Sequence, residues 1–232
     1  MFEMLGESTF WVSVLQIIMI DILLGGDNAV VIALACRSLP EEQRKKGIFW
    51  GVIGAIGLRV ALIAFALQIL DIPFLKLAGG LLLLWIGMKL LVGEDDDGHD
   101  VKGSTHLWGA VKTIIVADAV MSFDNVIAVA GAAHGSLALV VFGIVVSIPI
   151  IVWGSQLVLK LMDRFPIVIT VGGGLLGWIG GSMLLTDRGL LDYVGVLPGW
   201  SHQLGGAVGA ALVVLTGTML AKRKAMAEVR SE

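Results

Sequence analysis

Charge is what this sequence has least of. Only 15% of its 232 residues are Asp, Glu, Lys or Arg, against about a quarter in a soluble domain. A soluble fold of this length would need more polar surface than that. Cysteine is nearly absent: Cys36 stands alone, so neither an internal disulfide nor a thiolate cluster can form. The four histidines, His99, His106, His134 and His202, fall in or beside polar connections. Apolar segments without imidazole or thiolate do not suit a zinc or copper path. No basic tract is long enough to hold nucleic acid. No soluble domain is visible, because the most polar run is the short "GEDDDGHDVKGSTH" at 93–106. The opening "MFEMLGESTF" carries two acids and no basic n-region, which speaks against a cleaved signal.

What is there is apolar. Hydrophobic residues make up 57% of the chain, and mean hydropathy is +0.93. Several apolar runs reach the roughly 20 residues that span a bilayer. The expectation is an all-α polytopic membrane protein with a single membrane domain over 1–232. Seven transmembrane helices are expected, at about 10–35, 48–70, 74–92, 107–133, 137–161, 167–185 and 204–221. Pro40, Pro73, Pro166 and Pro198 then fall in or beside connections, where proline is tolerated. Pro149 lies inside the fifth span, which a membrane helix accommodates with a bend. Thirteen of the sixteen basic residues fall on one side of this scheme. Only Lys76 and Arg188 fall on the other, and Arg59 lies inside the second span. The positive-inside rule then places the N-terminus outside and the C-terminus in the cytoplasm.

Two apolar stretches carry polar residues that lipid penalises. "MIDILLGGDNAVVIALACR" at 19–37 contains Asp21, Asp27 and Asn28. "VADAVMSFDNVIAVAG" at 116–131 contains Asp118, Asp124 and Asn125. The two align 97 residues apart in the pattern D-x5-D-N. A weaker match follows between "AGGLLLLWIG" at 78–87 and "VGGGLLGWIG" at 171–180. Together they suggest a duplicated unit of three helices, 10–92 and 107–186, with the helix at 204–221 outside it. A three-span unit ends on the opposite side from its start, so its copy is inverted, as in many secondary transporters. In the last helix, "GGAVGA" at 205–210 offers small residues for close packing, within the chain or between copies.

A carboxylate in mid-span costs roughly 2.5–3.5 kcal/mol on insertion scales. One arginine, Arg59, cannot neutralise Asp21, Asp27, Asp118 and Asp124 together. Either some carboxylates hold protons or a cation enters, and alternation between those states is proton-coupled cation transport. Gly25 and Gly26 precede Asp27 and allow a kink that would free backbone carbonyls. The corresponding second-motif positions are Ser122, an accessory oxygen, and Phe123. Every candidate ligand is an oxygen donor, which suits Mn²⁺, Mg²⁺ or Ca²⁺. The residues also admit plainer readings. The aspartates can serve as structural partners of Arg59, and Asn28 and Asn125 as helix–helix hydrogen-bonding residues. The loop "EDDDGHD" at 94–100, with His99, reads as a solvated acidic run or as a metal sensor.

"GGDNAVVIALA" at 25–35 and "SFDNVIAVAG" at 122–131 resemble the TerC family of integral membrane proteins, in particular its shorter bacterial members of the YjbE type. The resemblance covers nearly the whole chain. It implies a divalent-cation exporter of the bacterial plasma membrane, for Mn²⁺ first, with the metal path on Asp27, Asn28, Asp124 and Asn125. Asp21 and Asp118 fit the same pattern. No enzyme activity and no tightly bound cofactor are implied; Mn²⁺ is the transported ion. The expected partners are the lipid bilayer, the cation and protons, and not nucleic acid. Export of amino acids or other small solutes, and Ca²⁺/H⁺ exchange, remain open at this stage, as do the coupling ion and the oligomeric state.

Overall fold

Proline and acidic residues set where the helices begin. Pro40, at φ −52°, precedes a helix whose first turn carries Glu41 and Glu42, where their charge complements the helix dipole. Pro166 likewise precedes the helix at Ile167. Gly93, at φ +84°, closes the helix ending at Val92, a conformation that glycine adopts without a steric penalty. The computed structural model describes residues 8–65, 72–93, 104–132, 137–195 and 197–231. The regular elements among them are all helical: α1 (Ser8–Cys36), α2 (Glu41–Ala64), α3 (Leu75–Val92), α4 (Ser104–Ala132), α5 (Leu137–Arg164), α6 (Ile167–Leu185), α7 (Arg188–Val194) and α8 (Ser201–Ser231).

The seven-span expectation is corrected by the structure. Among the described residues, five helices are long and apolar enough to cross a membrane. They are Glu41–Ala64, Leu75–Val92, Ala138–Arg164, Ile167–Leu185 and Ser201–Ala227, on α2, α3, α5, α6 and α8. The helices expected as spans one and four are not among these five; the described apolar stretch of α1 is Asp27–Cys36, shorter than a span. The arrangement of three, three and one spanning helices falls with that count. A second difference concerns α1, which is one continuous helix through Gly25 and Gly26. Two glycines cost a helix only about 1 kcal/mol each, less than tertiary packing along α1 can supply.

α1 packs on α4 and α5, and α2 packs on the same two helices. α3 lies on α6, and α8 covers both of them. Leu34, Ile48, Leu83, Ile114 and Leu176 are buried in the main core, and Ile17, Val140 and Ile144 fill a second cluster between α1 and α5. All seven tryptophans are exposed on the surface of the bundle, as expected of side chains that meet lipid and its interface. Pro149 sits inside α5 without ending it.

The small residues at 205–210 pack within the chain. A Cβ added at Gly177 of α6 would stand 2.5 Å from the Gly209 carbonyl oxygen, and one at Gly205 2.6 Å from that of Gly181. Two glycine pairs, each spaced four apart, thus bring the backbones of α6 and α8 into contact. Gly177→Val is expected to destabilise the protein in detergent by about 1–3 kcal/mol or more. Gly57→Ala is the control: nothing lies within 4 Å of its Cβ, so alanine should be neutral or stabilising. Equal midpoints of thermal unfolding for the two variants would count against this packing.

Both ends of the bundle are tied by side chains bonding to backbone. At one end Arg37 donates through Nη2 to the Leu90 carbonyl of α3 at 2.9 Å. Arg44 donates to the carbonyls of Leu39 (3.1 Å) and Arg37 (2.9 Å) and pairs with Asp163 of α5 at 2.9 Å. At the other end Asp187, fully buried, caps α7 by accepting from Leu190 N (3.0 Å) and also accepts from Leu77 N of α3 (3.2 Å). One carboxylate therefore serves the N-termini of two helices. Phe74, at φ +62°, enters α3 beside it and stacks on Tyr193 at 6.2 Å. Asp187→Ala should cost about 2 kcal/mol or more, since a single cap is worth about 1 and both donors stay buried. An unchanged unfolding midpoint would refute the dual cap.

Candidate functional site

The site is built where α1, α2 and α4 approach one another. Arg59 lies on α2, 3% exposed, far too deep to reach water with its guanidinium. It needs acceptors from neighbouring helices, and α4 supplies them one turn apart. Arg59 donates through Nη2 to Asp118 Oδ1 in a charged hydrogen bond and through Nε to Ser122 Oγ at 3.0 Å. Ser122 Oγ in turn donates to Asp118 Oδ2 at 3.3 Å. Asp118 is 6% exposed and Ser122 is fully buried. The result is a closed triad in which a buried cation offsets one buried carboxylate.

The first motif faces this triad with less satisfied chemistry. Asn28 on α1 is 3% exposed. Neither its amide oxygen nor its amide nitrogen has a hydrogen-bond partner among the described residues. Oδ1 of the neighbouring Asp27 is likewise buried without a partner. Asp27 lies within electrostatic reach of both Asp118 and Arg59, and α1 packs directly on α4. Buried polar atoms in folded proteins are nearly always paired, and an orphaned amide costs about 1–3 kcal/mol. Two oxygens and one amide nitrogen on consecutive residues of α1 thus keep open hydrogen-bonding capacity among the described residues.

Of the residues singled out in the sequence, Asp27, Asn28, Arg59, Asp118 and Ser122 fall in this region. The side chains of Asp21, Asp124 and Asn125 lie outside the described part of α1 and α4, as does the loop at 94–100 with His99. Among the described residues, no three His, Cys, Asp or Glu side chains converge as a metal cluster. Ser122, expected as an accessory ligand, is held by Arg59 and Asp118. Reading the sequence did not find the dual cap of Asp187, nor Arg37 at the end of α3. An aspartate directly before the short stretch at 188–194, a residue type favoured at helix N-caps, was the available signal for the first.

Five helices long and apolar enough to cross a membrane define a multi-pass helical membrane protein. The chain belongs to the integral membrane protein TerC family, which matches residues 6–225. Membrane protein YjbE of Bacillus subtilis is 48% identical over 184 residues, covering 79% of this chain and 84% of that protein. YkoY of the same organism is 25% identical, covering 75% of this chain and 60% of its own length. The inner membrane protein YoaE of Escherichia coli is 25% identical over 95% of this chain, which spans only 45% of that longer protein. No solved structure matches the chain.

Proposed function

We propose that this protein exports a divalent cation, Mn²⁺ first, from the bacterial cytoplasm, with protons as the counter-ion. The carrying observation is that Asp27 Oδ1 and both amide atoms of Asn28 are buried without a hydrogen-bond partner among the described residues. A carboxylate and an amide oxygen are hard donors suited to Mn²⁺, Mg²⁺ or Ca²⁺. Asp124 and Asn125 on α4 repeat the same donor types and would complete the coordination. Arg59, engaged with Asp118, lowers the repulsion between carboxylates and leaves Asp27 as the residue that exchanges a metal for a proton. The basic tail, with Lys222, Arg223, Lys224 and Arg230, supports a cytoplasmic C-terminus and an external N-terminus.

Amino-acid export is the less favoured reading. It needs a cation to receive the substrate carboxylate, and Arg59 already donates to Asp118 and Ser122. The test is uptake into inverted vesicles carrying the protein, with Mn²⁺, Ca²⁺, Mg²⁺ and labelled amino acids in separate arms and internal pH recorded. Mn²⁺ accumulation with proton release is expected. Accumulation of an amino acid and of no cation would overturn the proposal, and Ca²⁺ accumulation without Mn²⁺ would reassign the substrate.

A further inference from the structure

A second polar feature lies at the end of the bundle where Arg37 meets α3. A cavity of about 350 Å³ opens there between the end of α1, the last turns of α3 and the first half of α4. Arg37, Lys89 and Lys112 line it, and no carboxylate lines it among the described residues. The rest of the wall is mostly apolar, with Leu82, Trp85 and Val116. Three cations around one cavity repel a metal ion, so this is a poor route for the proposed substrate. They attract an anion instead.

The walls narrow the class of anion. Trp85 is exposed on the flank of the bundle, and the Lys89 ammonium lies 5.6 Å from its ring. Arg37 is held in place by its bond to the Leu90 carbonyl. A small free anion would cover the cations and leave the apolar wall bare. An amphiphile covers both, with its head among the cations and its chains along Trp85 and the neighbouring α3 surface. The volume is in the range of small-molecule sites. Basic pockets between membrane helices on the cytoplasmic side are suited to anionic head groups. We propose that this cavity holds the head group of one anionic phospholipid, bound by Arg37, Lys89 and Lys112 and anchored by its acyl chains against Trp85.

The proposal does not depend on what the protein transports, so its test measures binding alone. The full chain in neutral detergent is titrated with dioleoylphosphatidylglycerol or dioleoylphosphatidylcholine, and retained lipid is counted by native mass spectrometry. A third arm adds millimolar inorganic phosphate as competitor. One phosphatidylglycerol per chain is expected, in preference to phosphatidylcholine and undisturbed by phosphate. The variant carrying Lys89→Gln and Lys112→Gln changes two exposed side chains. It should bind phosphatidylglycerol roughly thirtyfold more weakly, at about tenfold or less for each cation and its share of the surface attraction. A matching circular dichroism spectrum checks its fold. Equal retention of both lipids, unchanged binding by the double variant, or displacement by phosphate would each overturn the proposal.

Discussion

The Asp27→Asn protein is expected to insert and fold normally while losing metal-dependent transport by at least about a hundredfold. Substituting even outer partners of a metal site costs about ten- to hundredfold, and Asp27 would be a direct ligand. The change keeps the side-chain volume and removes the charge, so packing against the neighbouring helices is preserved. Asn28 gives a sharper test because its amide is buried and has no partner among the described residues. Asn28→Leu removes a desolvation penalty of about 1–3 kcal/mol along with a metal donor. The expected result is a more stable protein that transports poorly. A residue used only to hydrogen-bond helices together would give the reverse, lower stability with transport retained. The measurements are Mn²⁺ uptake into vesicles and the unfolding midpoint in detergent. Full transport by both variants would remove Asp27 and Asn28 from the proposed site.

Arg59→Met should be among the most destabilising single changes, at about 3–5 kcal/mol. It leaves Asp118 buried with its charge uncompensated, and breaking a buried ion pair costs that much. Asp118→Leu strands the guanidinium in the same way. The double variant, Arg59→Met with Asp118→Leu, removes both charges and should recover most of the loss. A double-mutant cycle from unfolding in detergent should show the double variant losing far less stability than the sum of the two single losses. Additive losses would mean that the pair contributes little. Transport by the double variant separates two roles for Asp118. If the pair only organises the helices, a stable double variant still transports. If Asp118 exchanges its arginine for the metal during the cycle, stability returns and transport does not.

The sequence by itself determined the solvent, the family and the chemistry at stake. A chain with 15% charged residues and a mean hydropathy of +0.93 has to bury itself in lipid, whatever its topology. The repeated D-x5-D-N pattern drew attention to the same helices that frame the site, because each of its polar residues is expensive in that setting. Family membership was legible for the same reason: those motifs stand out against an apolar background. The sequence did not determine which helices span. Counting apolar runs gave seven, whereas five described helices have the length and apolarity required.

Tertiary structure alone decided the pairings. Arg59 and Ser122 are 63 residues apart, and nothing local marks one as the other's partner. The sequence offered Ser122 as a possible accessory metal ligand; only the fold sets its hydroxyl between Arg59 and Asp118. Gly25 and Gly26 permit a break in α1, yet the helix continues, since packing along its length outweighs a modest propensity cost. The small residues at 205–210 fitted either an oligomer or the monomer until α6 supplied matching glycines at 177 and 181. Asp187 belongs to two helix ends that lie 110 residues apart for its bond to Leu77. Composition and periodicity report the environment that each residue requires. Which other residue provides it is settled only when distant segments are brought within hydrogen-bond range.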